Sequence, residues 1–394
     1  MRLQPTWMIT LVVACGLLWG CQGDTSPTVE PLDPPAGSES GQPHLHADDD
    51  GPVWLSWVEP GDTTEHAFRY ASFDGRDWSA PQTIAAGDDW FVNWADVPSF
   101  QTLPDGRKAA HYLVSSGPDI FAYDVHITQA DDDGTWQESI TPHQDGTETE
   151  HGFASMLPLN DGLLAVWLDG REMADDGPMT LRGATLDASG AVQRKDELDD
   201  HVCECCPTSG VHTDDGALFA YRDRTEDEVR NISLVRRTDD GWSDSHTLHD
   251  DGWQIEGCPV NGPALDASGD HVVAAWFTGA DNRPRVYAAF SDNSGHQFSA
   301  PVPIANQAHG RVDVALLDDA SAIVSWIGYD ENGNAALRLR RIDADGTLES
   351  PITVTPIDAG RSSGIPRLAR HDDQLYVAWV DTDSDRVQAA RLDL

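Results

Sequence analysis

The chain has 394 residues, and its 67 acidic against 25 basic side chains give a formal net charge of −42 at pH 7. A surface this acidic repels nucleic acid and anionic lipid, so both are excluded as partners of the folded part. Solubility at high salt, where self-repulsion is screened, accounts for the charge without any binding role for the carboxylates.

An export signal is the first predicted element, at residues 1–20. One positive charge at Arg2 precedes an apolar run from Met8 to Trp19, and a small residue, Gly20, follows the run. The run is too short to cross a bilayer comfortably, and no later segment is apolar enough to do so. The chain is therefore predicted to be exported.

The end of this signal, Leu-Trp-Gly-Cys at residues 18–21, resembles the bacterial lipobox. The resemblance implies that Cys21 is lipidated and holds the protein to a membrane outside the cytoplasm, at the periplasmic face or the cell surface. The alternative is an ordinary secretory signal with cleavage nearby. Residues 21–42 are rich in Pro, Gly, Ser and acidic residues, which is typical of a flexible tether.

Seven apolar segments ending in an aromatic residue recur through the rest of the chain, at separations of 55, 55, 54, 55, 50 and 53 residues. The aromatics are Trp57, Tyr112, Trp167, Tyr221, Trp276, Trp326 and Trp379. A nearly fixed period of this length indicates a repeat architecture. Each repeat carries four strand-like runs without helical periodicity. In the fifth repeat these runs are Pro263–Ala267, His271–Trp276, Val286–Phe290 and Ala300–Ile304.

The repeats predict an all-β fold in which residues 43–394 form a β-propeller of four-stranded blades around one axis. Seven blades are favoured, six follow if the first or last repeat is irregular, and an open solenoid is the main rival. The last repeat stops after its third strand at 386–394, and Ser26–Val29 is similar to the outer strand Ser350–Val354. The N-terminal segment is therefore predicted to complete the last blade and cover its edge.

The segment Ser291–Phe298, between the third and fourth strands of the fifth repeat, resembles the Asp-box of sialidase-like BNR-repeat propellers, with Asn293 at the Asp position. Degraded copies lie at 72–78, 131–136 and 239–242. The resemblance implies the sialidase-superfamily propeller fold from about residue 43 onward. Because the Asp-box is a structural turn, it does not by itself imply the reaction.

Membership in the sialidases would imply three arginines on the substrate carboxylate, a Tyr activated by Glu, and an Asp acid/base. The first arginine of that family stands in an Arg-Ile-Pro motif near the N-terminus. Here the corresponding stretch, Gln42–His46, has no arginine, and the similar Gly364–Arg367 lies at the other end of the chain. This favours a binding protein over a divergent exo-sialidase or related glycoside hydrolase, and the residues leave the question of an enzyme open.

One face of the predicted propeller gathers the loops between second and third strands and the loops that enter the next blade. Most of the chemically unusual residues fall in these loops, so an axial mouth is the default ligand site. The residues predicted to bind an anionic ligand there, such as a sialic or uronic acid, are Arg171, Arg222, Arg224, Arg230, Arg311, Trp253 and Asn261. The alternatives are ion pairing for the arginines and packing between blades for the tryptophan.

A glycosidase site at this mouth would need two carboxylates about 5–9 Å apart. The candidates are Asp96, Glu172 and Asp223, with Tyr329 as a candidate nucleophile. Because the chain has 67 acidic residues, finding carboxylates near the mouth carries little weight. A scaffold that binds another protein of the cell envelope is a third interpretation.

Apart from Cys15 in the signal and Cys21, the chain has four cysteines: Cys203, Cys205, Cys206 and Cys258. Residues 206–210 (Cys-Pro-Thr-Ser-Gly) and 258–262 (Cys-Pro-Val-Asn-Gly) match as one element of successive blades, so the cysteines are predicted to be neighbours. Disulfides are one interpretation, favoured in an oxidising compartment. A soft metal ion, Cu(I) or Zn(II), held by thiolates is the other. The histidines suggested as additional ligands are His201, His151 and His309.

Overall fold

Twenty-eight short strands form seven antiparallel sheets in the part of the chain that the structure, a computed structural model, describes, residues 28–48 and 51–394. The predicted signal and Cys21 lie outside the described residues. Within them, no helix has the length and hydrophobicity that crossing a bilayer requires.

Each sheet is one blade, and its strands follow one another along the chain from the axis outward. The first strand, β1 (Val29–Leu32), belongs to blade seven, and blade one has β2 (Gly41–Ala47), β3 (Val53–Glu59), β4 (His66–Phe73) and β5 (Gln82–Gly87). Blade two has β6 (Ser99–Thr102), β7 (Lys108–Ser115) and β8 (Tyr123–Gln129). Blade three has β9 (His151–Leu159), β10 (Gly162–Asp169), β11 (Thr180–Asp187) and β12 (Val192–Asp199).

The remaining blades repeat the same order. Blade four has β13 (Ser209–Thr213), β14 (Gly216–Arg222), β15 (Ile232–Thr238) and a divided outer strand, β16 (Gly241–Trp242) and β17 (His246–His249). Blade five has β18 (Ala264–Ser268), β19 (His271–Thr278), β20 (Arg285–Ser291) and β21 (Val302–Asn306). Blade six has β22 (Gly310–Leu316), β23 (Ala322–Tyr329), β24 (Ala335–Ile342) and β25 (Ile352–Pro356). Blade seven has β26 (Arg367–His371), β27 (Gln374–Asp381) and β28 (Arg386–Asp393).

The blades close into a ring rather than an open stack. Each of seven hydrophobic clusters lies between two neighbouring blades, and the cluster with Trp57 and Tyr376 joins blade one to blade seven. Inner strands from all seven blades line one central channel of 1130 Å³. The seven-bladed propeller predicted from the repeat period is therefore confirmed, and the solenoid is excluded.

An N-terminal strand closes the ring, as the sequence predicted. Strand β1 pairs antiparallel with β28, with Val29 opposite Leu392, and supplies the missing outer strand of blade seven. The Glu30 carboxylate accepts a hydrogen bond from Arg391 Nε at 2.7 Å. The propeller therefore begins earlier than residue 43, because β1 starts at Val29 and the innermost strand of blade one starts at Gly41.

The periodic aromatics explain why the second strands fix the ring. All seven lie on second strands and are buried, so each fills the space between adjacent blades. Several of them also have a hydrogen-bond acceptor for their polar atom: Trp167 Nε1 donates to Asp169 Oδ2 at 2.8 Å, and Trp276 Nε1 donates to Asp251 Oδ2 at 2.8 Å. A large aromatic with a local acceptor can be buried without an unpaired donor.

The turn at Ser291–Phe298 has the hydrogen bonds of a compact loop. Ser291 Oγ accepts from Gly295 N at 2.9 Å, and Asn293 Oδ1 accepts from Gln297 N at 3.0 Å. Gly295 has a φ of +79°, and a Cβ there would approach Leu218 Cδ2 to 2.5 Å, so only glycine fits. The turn lies between β20 and β21.

Candidate functional site

The axis is filled at the face where the sequence predicted an open mouth. Arg311, at the start of blade six, places its guanidinium carbon 4.7 Å from the ring of Trp94, which precedes blade two. The same guanidinium donates to Ser363 Oγ at 2.7 Å and to the Gly364 carbonyl at 3.0 Å, just before blade seven. Because these loops come from different sides of the ring, their contact corrects the prediction of an axial opening at this face.

Arg222 and Asn261, both predicted to bind ligand, instead hold the loops together. The Arg222 side chain is buried and donates to the carbonyls of Asn261, Arg230 and Phe277 at 2.9, 2.6 and 2.8 Å. Trp253 is also buried, with the Arg222 guanidinium 5.0 Å from its ring centre. The Asn261 side-chain oxygen accepts from Arg311 N at 2.7 Å. Each of these groups therefore has hydrogen-bond or packing partners within the protein, which is the alternative to ligand binding.

The four cysteines meet beside the axis, where blade four and blade five begin. The sulfurs of Cys203, Cys205 and Cys206 all lie within 4.8 Å of one another. Cys203 Sγ is 3.3 Å from Cys206 Sγ and 3.9 Å from Cys205 Sγ, and Cys258 lines the same cavity as Cys205. We call these four residues the thiol cluster. All four are free cysteines. The group of side chains within 4.8 Å of one another consists of three cysteines and does not include a predicted histidine ligand.

Local backbone geometry brings the two cysteine segments together. Cys203 and Cys206 have the spacing of one tight turn, and Cys203 N donates to the Arg222 carbonyl at 3.0 Å, which fixes that turn to the end of β14. The second segment packs directly against the first, because a Cβ on Gly262 would lie 2.0 Å from the Pro207 carbonyl oxygen. Glycine after Cys258 is thus required for the close approach of the two loops.

Arg230 gives the thiol cluster a positive neighbour. Its side chain is buried, and Nη1 donates to Cys203 Sγ at 3.1 Å and to Glu204 Oε2 at 2.8 Å. Glu228 lies on the other side, 3.0 Å from Arg230 Nη2, and also pairs with Arg224. Arg224 and Arg230, both predicted to bind ligand, therefore lie close together, but their partners are two glutamates and, for Arg230, the sulfur of Cys203.

The thiols do not all have the same acidity. Burial raises the pKa of Cys203, yet hydrogen bonds with Cys205 and Cys206 and the charge of Arg230 hold it well below the usual value. The pKa of Cys258 is also lowered, first by its hydrogen bond with Cys205. The hydrogen bond to Cys203 raises the pKa of Cys205, and burial raises that of Cys206. The geometry therefore favours a thiolate at Cys203.

A cavity of 620 Å³ opens onto the thiol cluster from solvent. Loops of blades two to five line it, including Cys205, Cys258, Glu150 and the exposed side chains Phe121 and Met173. Met173 belongs to a short 3-10 helix, Arg171–Asp175, in the loop after β10. The candidate ligand cavity is thus displaced from the axis toward blades two to five.

Asp96, a candidate catalytic residue, belongs to a buried group next to this cavity. Tyr123 Oη donates to Glu150 Oε1 at 2.7 Å and lies 3.2 Å from Asp96 Oδ2. The backbone N–H of Phe153 donates to both Asp96 oxygens at 2.8 Å. Burial raises the pKa of Asp96 to about 7 and that of Glu150 to about 7. Of these carboxyl groups, Glu150 lines the cavity.

The other candidate catalytic residues do not join this group. Glu172 is on the 3-10 helix near Arg182, and Asp223 accepts from Ser233 Oγ at 3.2 Å. Tyr329 is exposed at the end of β23, where its ring lies 5.1 Å from His309. The structure thus places these three side chains in separate surroundings, and the predicted carboxylate pair with a tyrosine nucleophile does not form from them.

A second cluster lies between blades two and three, and sequence reasoning missed most of it. His143 and His151 stack with ring centres 3.9 Å apart and an interplanar angle of 3°. Asp124 lies at one edge of both rings and Asp145 at the other. Arg171, predicted to bind ligand, pairs with Asp169 through Nε and Nη2, each at 2.7 Å. The sequence offers no signal for this cluster, because its histidines and carboxylates do not follow one another at the spacing of a recognised motif.

Comparison with known proteins identifies the architecture. No protein-family model matches the sequence, and a search of curated proteins found no match. Among solved structures, an α-L-arabinofuranosidase from Fusarium graminearum matches with a TM-score of 0.53 at 13% identity, over 94% of this chain and 99% of that one. The chain shares the β-propeller fold of that protein.

Two other solved structures have lower TM-scores. The NanB sialidase from Streptococcus pneumoniae has a TM-score of 0.46 at 12% identity, over 90% of this chain and 68% of that one. A polysaccharide lyase of family 25, an ulvan lyase, has a TM-score of 0.49 at 11% identity, over 79% of this chain and 80% of that one. Likenesses at this identity concern the fold alone, since one propeller fold carries unrelated functions.

Proposed function

We propose that this protein is an extracytoplasmic, lipid-anchored propeller that binds a soft metal ion, Cu(I), through the thiol cluster. The observation that carries the proposal is the buried contact between Arg230 Nη1 and Cys203 Sγ at 3.1 Å, beside two further sulfurs. A buried guanidinium is most stable against an anion, and a thiolate is the form of cysteine that binds metal.

Copper(I) fits the donor set better than Zn(II). Structural zinc sites are closed and tetrahedral, and the adjacent residues Cys205 and Cys206 are a poor pair for that geometry. Thiolate and thioether sulfur both suit Cu(I). The exposed thioether of Met173 lines the same cavity as Cys205 and Cys258, which supplies a soft donor on the entry route.

The four cysteines of the thiol cluster differ in their exposure to solvent. Cys258 is exposed and Cys205 is half-buried, while Cys203 and Cys206 are fully buried. Buried Arg230 and the glutamates Glu204 and Glu228 hold the inner end of the site in place, so an arriving ion exchanges onto sulfurs that are already close together. Preformed ligands reduce the ordering cost of binding.

A titration with Cu(I) tests the proposal. Reduced protein is titrated without oxygen against a Cu(I) chelator of known affinity, and one equivalent is expected to bind. Cys203→Ser is expected to lower the affinity by at least about 100-fold, more than the loss of an outer-shell group costs. Cys258→Ser, at the exposed rim, is expected to have a smaller effect. Ser56→Ala is the control, because it is a buried one-atom change in blade one.

Disulfide formation is the alternative use of the same sulfurs. The 3.3 Å between Cys203 Sγ and Cys206 Sγ would suit one bond, which would leave Cys205 and Cys258, on the same cavity, for a second. Failure of reduced protein to bind Cu(I), together with unchanged affinity in Cys203→Ser, overturns the metal proposal. Tight binding of Zn(II) with negligible binding of Cu(I) also overturns the choice of ion.

A glycoside hydrolase is the second candidate function. The favouring observation is Glu150, which lines the cavity, has its pKa raised to about 7 by burial, and accepts from Tyr123 Oη at 2.7 Å. A carboxyl group of this kind can serve as a general acid near neutral pH. Release of fluorophore from a sialoside or an arabinofuranoside, lost in Glu150→Gln, would establish this function instead.

A further inference from the structure

Exposed apolar side chains are concentrated on one part of the propeller surface. Among the residues that the structure describes, six large hydrophobic side chains are exposed, and four of them lie on loops of blades two and three. These four, which we call the apolar rim, are Val92 (43% exposed), Ile120 (73%), Phe121 (56%) and Met173 (40%). Apolar side chains scattered singly over a surface are ordinary, whereas a group of them marks an interaction site.

The apolar rim lies at the entrance to the thiol cluster. It belongs to the loops between second and third strands of blades two and three and to the loop that enters blade two. Loops of these kinds share the face on which the cysteine loops enter blades four and five. Phe121 and Met173 also line the 620 Å³ cavity beside Cys258. A molecule that covers the apolar rim therefore also covers the opening to the thiol cluster.

Hydrogen bonds hold the most exposed part of the rim in place. Ser116 N donates to the Ala122 carbonyl at 2.9 Å, which closes the loop that carries Ile120 and Phe121. Within that loop, the Asp119 carboxylate accepts from Phe121 N at 2.9 Å. The exposure of the two side chains is therefore a fixed feature of the fold, and a preordered surface lowers the ordering cost of binding.

The charge around the rim selects a basic partner. Four glutamates and two arginines line the cavity, and both arginines are paired with glutamates. Glu256, in the second cysteine loop, is exposed and lies outside these pairs. The whole chain has a net charge of −42. A second copy of this chain and anionic lipid are therefore repelled, whereas a positively charged protein is attracted.

We propose that the apolar rim docks a basic protein that carries Cu(I) on sulfur ligands and exchanges the ion with the thiol cluster. The inference rests on the proposed Cu(I) function, because the rim surrounds sulfurs that suit this ion. In the transfer, a bond between copper and a sulfur of the carrier breaks as a bond to Cys258 Sγ forms. Copper stays Cu(I), and the proton of the Cys258 thiol passes to solvent.

Copper transfer from synthetic peptides tests the docking. Two peptides bind Cu(I) through the same methionines and share the same leucines, but one carries lysines where the other carries glutamates. Anaerobic stopped-flow mixing with the reduced full chain follows the ultraviolet absorption of the copper–thiolate bonds. At low salt the lysine peptide is expected to transfer Cu(I) at least about 10-fold faster than the glutamate peptide, and high salt should reduce the difference.

A surface variant separates docking from metal binding. Val92 and Ile120 belong to the rim but do not line the cavity, so Val92→Ser/Ile120→Ser should keep the wild-type affinity for Cu(I) in the chelator competition. Transfer from the lysine peptide is expected to be about 3- to 10-fold slower, because the complex loses apolar contact. Leu394→Ser is the matched control, since Leu394 is exposed just after β28, at the opposite face. Thermal unfolding verifies that both variants fold.

The outcomes distinguish docking from Cu(I) binding. Equal transfer from both peptides, or an unchanged transfer rate in Val92→Ser/Ile120→Ser, overturns the docking and leaves Cu(I) binding intact. Wild-type protein that takes no Cu(I) from the chelator overturns the proposed function, and the copper-carrying partner with it.

Two further measurements test the other occupants of the rim. Sedimentation of the Cys21→Ser protein is expected to show a monomer, and a dimer that Val92→Ser/Ile120→Ser dissociates would assign the rim to a second copy instead. The same Cys21→Ser protein is expected not to bind vesicles of neutral phosphatidylcholine. Binding that the rim substitutions abolish would assign the rim to a lipid surface and overturn the proposal.

Discussion

At the scale of single residues, Arg230 links the protein framework to the proposed metal ligands. It donates to Cys203 Sγ and is held by Glu204 and Glu228, while its Nε donates to the Ile255 carbonyl at 3.2 Å. The sequence singled out this arginine, but for the wrong kind of partner. Spacing along the chain shows where a side chain starts, and only the fold shows that its guanidinium meets a sulfur rather than a bound anion.

Replacing Arg230 tests that contact directly. Arg230→Gln is expected to weaken Cu(I) binding by about 10- to 100-fold, because it removes an outer-shell donor to the thiolate. The competition titration measures the change, with Arg341→Gln on blade six as the control. An unchanged affinity in a folded Arg230→Gln protein would show that the contact does not support metal binding.

Asp96 leads to a prediction about pH. Its pKa is raised to about 7 by burial and by neighbouring Glu150, with Tyr123 as the other facing polar group. Between about pH 4 and 7 the folded state therefore binds more protons than the unfolded state, so this residue makes the free energy of unfolding fall as pH rises. The contribution is at most about 3–4 kcal/mol and levels off above pH 7.

Asp96→Asn is expected to remove that fall. The new amide can still accept from Phe153 N and donate to Tyr123 Oη, so the fold should persist. Chemical denaturation at several pH values gives the free energy of unfolding of wild type and variant. From pH 4 to 7 the variant should become more stable relative to wild type. Asp132→Asn, an exposed loop change, is the control; a difference that stays constant with pH would contradict the assignment.

At the scale of elements, the strands and turns were predictable and the packing of loops was not. In the fifth repeat the predicted run His271–Trp276 corresponds to observed β19 at His271–Thr278, because alternation and turn residues are local signals. The filled axis was missed, because it depends on Arg311 reaching Trp94 across the ring. Asp124 and His143 were missed for the same reason, since their meeting depends on how two blades dock.

The packing of the two cysteine loops gives an element-scale prediction. Gly262→Ala would place a Cβ 2.0 Å from the Pro207 carbonyl, so the loops must separate and Cys258 should move away from Cys205. Overpacking of this kind costs about 1–3 kcal/mol of stability. We expect weaker Cu(I) binding and a lower melting temperature, measured by titration and calorimetry. Gly41→Ala, with no atom within 4 Å, is the control, and equal behaviour of the two variants would contradict the prediction.

At the scale of the whole molecule, the repeat period of the sequence was enough to predict the architecture. Seven aromatics at nearly equal spacing predicted seven blades, and the incomplete last repeat predicted the closing strand β1. Function did not follow in the same way, because the propeller fold of the arabinofuranosidase from Fusarium graminearum and of this chain is compatible with different sites. The sites arise from loops at one face.

The membrane anchor is a prediction of this scale as well. If Cys21 carries lipid, the wild-type protein should fractionate with membranes, and Cys21→Ser should release it to the soluble extracytoplasmic fraction. One lipidated terminus supplies hydrophobic binding that the acidic propeller surface cannot. Cell fractionation measures the distribution, and Ser26→Ala is the control. Equal partitioning of wild type and Cys21→Ser would contradict lipid anchoring.

The central claim is that four cysteines from two blades form one metal site. The most direct measurement is metal analysis of the protein isolated without reductant, combined with a peptide map of its thiols before and after metal removal. The account predicts about one copper per chain and cysteines that alkylate fully only after the metal is removed. Protein without copper, in which Cys203 is linked to Cys206 and Cys205 to Cys258 by disulfides, would contradict it.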